Sequence, residues 1–196
     1  MSKLTTKKAI AGALKELMEE KPISKITVGD IADRCGINRQ TFYYHFQDIP
    51  DLVEWICIVE ADEAIENNKD YATWQEGILA VFEKLKKEKS FTKNLYRSTP
   101  RETLLNYLYK MVYPLLYAVV EEEAQGMSVR EEDKKFITHF YDYAFVGLLI
   151  DWVQHDMEAD PKKIVDELST MIKGSFRLAL INCDARSHTW LNPTFT

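Results

Sequence analysis

The chain has 196 residues, 46% hydrophobic and 29% charged, with a net charge of −6. That balance excludes a disordered chain and suits one large domain, or a small one joined to a larger one. Only 7 Gly and 6 Pro interrupt it, so the Leu, Glu, Lys and Ala content predicts a mostly helical protein.

The first helix is expected from about Thr6 to Glu20, where Ile10, Ala13, Leu14, Leu17 and Met18 recur at helical spacing and Pro22 stops the run. Thr27 followed by Asp30 is a capping-box pattern opening a second helix with Val28, Ile31, Ala32 and Cys35 as its apolar stripe. Gly36 stands where a left-handed residue ends a helix, and Asn38 can cap a third helix from Arg39. Beyond Pro50, Leu52, Val53, Ile56 and Val59 mark a fourth helix, and Thr73 with Glu76 caps a fifth. The stretch Phe91–Tyr96 is ambiguous. Thr99-Pro100 opens a helix that Pro114 should kink. Ser128 with Glu131 starts a long helix to about Met157, and Asp160-Pro161 caps a last one through about Asn182. The domain division expected from this is a head, 1–50, and a body, 51–196.

Charge is unevenly spread. Residues 1–47 hold eight Lys/Arg against five Asp/Glu, a net of +3, so the rest carries −9 of the −6 total. A basic head on an acidic body points the head at a polyanion. In the third helix, Phe42 and Phe46 lie on one side at 100° per residue, which turns Gln40, Thr41, Tyr43 and Tyr44 outward. Two exposed tyrosines on a short polar helix want a partner. Asn38 and Arg39 lie at its N-terminus, the end a recognition helix presents to the major groove. Gln can pair with adenine and Arg with guanine in a bidentate manner. Thr41, Tyr44 and His45 suit phosphate oxygens, and Thr27 offers a hydroxyl and amides to another. With Lys25, these complete the expected DNA-binding set: Lys25, Thr27, Asn38, Arg39, Gln40, Thr41, Tyr43, Tyr44 and His45.

The strings Ile26-Thr27-Val28-Gly29-Asp30-Ile31-Ala32, Cys35-Gly36-Ile37, Thr41-Phe42-Tyr43-Tyr44-His45-Phe46 and Asp51-Leu52 resemble the N-terminal domain of the TetR family of bacterial transcriptional regulators over residues 9–56. Asn38 to Phe46, with Trp55 soon after, is most similar to the subgroup that includes the regulator of dihydroxyacetone kinase operons. The resemblance implies an all-α homodimer, with a three-helix helix-turn-helix head on a C-terminal helical bundle that senses a ligand or partner. One departure is Gln47-Asp48-Ile49-Pro50, where many members carry a Lys that reaches a phosphate.

In the body, apolar residues from Phe136 to Val153 occur on every side of the long helix. One side can be covered by the chain's own core; the other needs a partner, and Ile164, Leu168, Met171 and Ile172 offer a matching stripe. Trp55, Phe82, Tyr113, Tyr117, Tyr143 and Trp152 are candidates to line an effector pocket, although aromatics at helical spacing are more often plain core.

Other chemistries fare poorly. Ser90-Phe91-Thr92-Lys93 fits Ser-x-x-Lys without its companion motifs. His139 with Asp142, and Asp151 with His155, lack an evident third metal ligand. No metal, cofactor or enzymatic activity is expected. Cys35, Cys57 and Cys183 form neither a disulfide framework nor a metal motif. The longest apolar runs fall short of the ~20 residues that span a bilayer, and the start reads straight into an amphipathic pattern rather than a secretory signal. A cytoplasmic protein is expected, its partners double-stranded DNA, a second copy, and a small-molecule effector or protein co-regulator. The expected function is a ligand-responsive repressor on a pseudo-palindromic operator; the alternative is a regulator or activator switched by a protein partner.

Overall fold

A computed structural model describes residues 3–65 and 73–189, and these contain helices and no strand. Trp190 and Phe195 lie outside the described residues. Ten α-helices follow in order: α1 Lys3–Glu20, α2 Val28–Cys35, α3 Arg39–His45, α4 Ile49–Ile65, α5 Trp74–Lys87, α6 Lys89–Ser98, α7 Arg101–Glu123, α8 Glu131–Gln154, α9 Pro161–Ile172 and α10 Ser175–Thr189. No helix among the described residues is long and apolar enough to cross a membrane.

The chain forms two compact units. The first takes the residues up to Glu63 together with Lys84–Leu108, so it reaches well past residue 50. Its core is built from Ile10, Leu14, Leu17 and Met18 of α1, Ile31 of α2, Phe42 of α3 and Leu52, Val53 and Ile56 of α4, with Phe91 and Leu95 of α6. The segment read as ambiguous is α6, and it is tied to the rest by one amide. Asn94 donates from Nδ2 to the Met18 and Lys21 carbonyls at 2.7 and 2.9 Å and accepts from the Ile23 N–H at 3.0 Å. It thereby satisfies carbonyls that the end of α1 leaves without helical partners.

Four half-buried charges also join helices of this unit. Lys15 of α1 pairs with Glu60 of α4 and, at 2.5 Å, with Glu88 just before α6. Lys84 of α5 meets Glu88 at 2.8 Å and Glu60 at 3.6 Å. Burial pushes the Glu60 carboxyl up against the pull of Lys15. Burial acts the same way on Glu88, but hydrogen bonds from Lys15 and Lys84 outweigh it and hold that carboxyl low.

The second unit takes residues 64–83 and those from Tyr109 onward. One face of α8 is buried through Ile137, Tyr141, Phe145, Val146, Leu149 and Trp152. The opposite face carries Phe136, Phe140, Tyr143 and Leu148 exposed, as expected of a helix whose second side awaits a partner. Three sequence expectations change here. Ser128 does not cap α8: it gives its N–H to Asp184 at 3.2 Å, and the helix starts after Arg130 with no side-chain cap. Helix α8 stops at Gln154, because Asp156 and Met157 turn left-handed at φ 61° and 59°. The last helix is two, broken at Lys173-Gly174 with Gly174 at φ +73°. The break splits the stripe: Leu168 is buried, Met171 is exposed, and Leu178 and Ile181 of α10 supply further exposed apolar surface.

Candidate nucleic-acid interface

The turn between α2 and α3 follows from three short-range devices. Thr27 Oγ1 accepts from the Asp30 N–H at 3.1 Å, and Asp30 Oδ2 accepts from the Thr27 N–H at 2.8 Å, closing the capping box. That backbone donor, then Lys21 at 3.0 Å, holds the Asp30 carboxyl down at about 2. Gly36 at φ +68° ends α2, with the Ile37 N–H returning to the Ala32 carbonyl at 2.9 Å. A side chain is strained in that conformation, which is why Gly serves there. Asn38 Oδ1 then accepts from the Thr41 N–H at 2.7 Å and starts α3.

Phe42 and Phe46 are buried, with ring centroids 5.9 Å apart. This anchors α3 so that its other face stays in solvent. Tyr43 is 58% and Tyr44 67% exposed; Arg39 and Gln40 are exposed, and Thr41 and His45 partly so. The structure therefore brings the expected α3 residues onto one free surface. Thr27 and Thr41 are exceptions to the expected chemistry. The Thr27 N–H and O–H both donate to Asp30, each at 2.8 Å, and the Thr41 N–H and O–H both donate to Asn38 Oδ1 at 2.7 and 3.0 Å, so the donors of both are already engaged.

The charges of the head divide in two. Lys8 pairs with Glu63, Lys15 with Glu60 and Glu88, Lys21 with Asp30, and Arg34 with Glu16 and Glu20. Among the described residues, Lys3, Lys7, Lys25 and Arg39 have no carboxylate partner. Free cations and exposed tyrosines together make a surface suited to phosphates and base edges.

Sequence reasoning missed Gly29 as part of this surface. A Cβ there would lie 2.6 Å from Arg39 Nη2 and 3.1 Å from its Nε. The bare helix surface at Gly29 is where the Arg39 guanidinium lies. The signal was present as a glycine inside an eight-residue helix, where it costs helix propensity without serving a turn.

The six aromatics expected to line an effector pocket divide between the two units. Trp55 belongs to the first unit, edge-on to Phe46 at 5.7 Å, and borders a cleft of about 200 Å³ with Lys8, Lys15, Glu60 and Glu63. In the second unit, Phe82 and Trp152 are buried against each other at 5.0 Å, and Trp152 donates to the Ala159 carbonyl. Tyr113 stacks on Tyr117 at 5.8 Å and meets His139 at 4.7 Å; His139 in turn stacks on exposed Tyr143. Aromatic pairing within the core and along the helix surface uses these rings as packing.

Among the described residues, the remaining chemical candidates assemble no further than the exposed pair Asp151 and His155, 3.4 Å apart. Thr92 of the Ser-x-x-Lys stretch donates to the Leu85 and Glu88 carbonyls as part of α6. Asp142 is fully buried while His139 is exposed. Among the described residues no group of three or more His, Cys, Asp or Glu side chains could hold a metal ion.

Residues 10–56 match the profile described as bacterial regulatory proteins of the tetR family, and residues 72–174, more than half of the chain, match a transcriptional regulator C-terminal region of the same family. The chain belongs to the TetR family. It is a transcriptional regulator with a DNA-binding helix-turn-helix, and the proteins it resembles are regulators rather than enzymes. It is 36% identical over 93 residues to the HTH-type dhaKLM operon transcriptional activator DhaS of Lactococcus lactis, covering 47% of this chain and 50% of that protein. It is 31% identical over 95 residues to the HTH-type transcriptional regulator EthR of Mycobacterium tuberculosis, covering 43% and 44%. The alignments thus span about half the length of these relatives or less. Among solved structures, the dihydroxyacetone kinase operon activator DhaS matches with a TM-score of 0.69 at 23% identity, over 89% of this chain and 98% of that one. NalD, the secondary repressor of the MexAB-OprM multidrug efflux pump in Pseudomonas aeruginosa, matches at 0.54 and 19%, over 90% and 97%. At these identities the structural likeness speaks for the fold.

Proposed function

We propose that the protein is a sequence-specific DNA reader that acts as a homodimer on a pseudo-palindromic operator, with α3 as its recognition helix. The observation that carries this is the exposed face of α3, where Gln40, Tyr43 and Tyr44 stand free beside an unpaired Arg39. Arg39 and Gln40 address base edges, while Tyr44, His45, Asn38 and Lys25 set the register on the phosphates. Residues 1–50 bear the DNA contacts and the rest of the chain the control. The exposed apolar surface of α8, with Leu178 and Ile181 of α10, supports pairing of two copies. A twofold dimer sets half-sites about one helical turn, ~34–36 Å, apart.

The test is selection of bound sequences from a random duplex pool, repeated with Gln40→Ala and Tyr43→Ala. Wild-type protein should enrich a pseudo-palindrome, and each variant should bind it about tenfold or more weakly, a loss of at least ~1.4 kcal/mol, while remaining helical and dimeric. Unchanged affinity in both variants would remove α3 from the role.

For the direction of control, activation through a protein co-regulator is better supported than relief of repression by a small molecule. Phe82 and Trp152 pack on each other, and Tyr143 faces solvent. The relative at 36% identity bears the name of an activator. Transcription in vitro from the selected promoter that rises on adding the protein and a host extract supports this reading. A fall in transcription, reversed by a small-molecule fraction, restores the repressor reading.

A further inference from the structure

Two of the four unpaired cations of the head, Lys25 and Arg39, belong to the expected DNA-binding set; Lys3 and Lys7 do not. Both stand on α1 against the aromatic side chains of α3 and its flank. Lys3 Nζ lies 5.2 Å from the Tyr44 ring centroid. Lys7 Nζ lies 4.8 Å from that of Phe46 and 5.3 Å from that of Trp55. A lysine held over a ring uses one side of its ammonium for the π face and keeps its other N–H donors for an anion. Holding the side chain in place before binding also lowers the entropy that a phosphate contact must overcome.

The neighbouring start of α4 is poorly suited to the same task. Residues 47–51 read Gln-Asp-Ile-Pro-Asp, with two acids and no cation. Asp48 Oδ1 accepts from the Asp51 N–H at 2.8 Å, and Asp51 Oδ2 accepts from the Gln47 N–H at 2.8 Å. These amides are thus filled by the chain's own carboxylates, whose charge repels a phosphate. Tyr44, exposed beside these groups and topped by Lys3, marks the edge of the reading face at which positive charge is supplied by α1.

We propose that Lys3 and Lys7 make DNA-backbone contacts alongside the recognition helix, supplying from α1 the cationic clamp that the start of α4 lacks. The inference rests on the DNA-reading role of α3. A random-sequence duplex is the suitable probe, because phosphate contacts carry no sequence information.

Binding of the full-length protein to that duplex should be titrated over a series of NaCl concentrations. Each phosphate neutralised contributes about 0.9 to the slope of log K against log salt. With both lysines on each of the two heads, Lys3→Gln with Lys7→Gln should lower that slope by up to about 3.6, at about 0.9 per contact, and reduce affinity at least roughly tenfold at moderate salt. Lys3→Arg with Lys7→Arg should restore both, as should any change that only preserves charge. Lys8→Gln, which removes a cation already paired with Glu63, should leave the slope unchanged. Lys3→Gln alone, at the exposed start of α1, serves if the double variant loses helicity. An unchanged slope in the glutamine variants, with Arg39→Ala still weakening selection of the operator, overturns the inference and spares the DNA reader. Wild-type protein that binds no duplex at any salt overturns both.

Discussion

Among the described residues, two helices expose aromatic side chains, and their surroundings differ. On α3, Tyr43 and Tyr44 sit among Arg39, Gln40 and His45, with Lys3 over the Tyr44 ring. On α8, Phe136 and Phe140 are 74% and 64% exposed. From Phe136 to Leu148 the exposed positions of that helix are Phe136, His139, Phe140, Tyr143, Ala144, Gly147 and Leu148, none formally charged at neutral pH. Short, polar and cationic surroundings fit a polyanion; a long uncharged face with two small residues lets another helix approach closely. Exposure alone does not specify a partner. What flanks the ring does.

The largest effect that could break this contrast comes from α8. Phe140→Glu places a charge in the middle of its apolar face, and should convert the proposed dimer to a monomer at micromolar concentration in analytical ultracentrifugation. Operator affinity should fall at least ~100-fold, since ~2.7 kcal/mol or more is lost with the second head. A variant that stays dimeric would mean that α8 faces some other partner.

The buried side of α8 gives the next effect. Asp142 is fully buried there, neither carboxylate oxygen has a hydrogen-bond partner, and burial lifts its pKa from 3.8 to about 7. A carboxyl whose folded-state pKa is raised favours the fold while protonated. Its contribution is complete below about pH 4 and is lost as pH rises through 7. Stability should therefore decline by about 2–4 kcal/mol between pH 4 and 8 from this group. Asp142→Asn, which does not ionise, should flatten that decline in thermal unfolding followed across pH. Equal pH slopes for the two proteins would show that Asp142 is solvated or paired in solution.

Gly29 gives the smallest and sharpest test on the α3 side. Gly29→Ala should leave the melting temperature unchanged or raise it slightly, by up to ~1 kcal/mol from helix propensity. The guanidinium of Arg39 must move from a Cβ placed 2.6 Å away, so operator affinity should drop by about threefold or more, ~0.6 kcal/mol. Undiminished binding would mean that Arg39 reaches DNA from another rotamer.

The head was readable because its signals are local. A Thr-x-x-Asp box, one left-handed Gly and an Asn cap act within four residues, and α2, the turn and α3 fall where they predict. The readable part ends where partners are distant in sequence. Asn94 reaches residues more than 70 positions away, so nothing local marks α6. The left-handed pair Asp156-Met157 has no glycine to announce it, and Met157 is held there buried. Gly174 did announce the break between α9 and α10, but an apolar period running through it masked the signal. The aromatic pocket set is hard to read for a related reason. Helical spacing shows that a ring faces inward, and it does not show whether a cavity or another ring meets it.

The four charges Lys15, Glu60, Lys84 and Glu88 carry a consequence for how this sequence can drift. Each carboxylate meets both lysines, so losing any single member leaves a half-buried charge with fewer partners, and the cost depends on which others remain. Substitutions at the four positions are therefore not independent. Among descendants of this chain the quartet should persist whole or be replaced as a set, with single departures short-lived between the two.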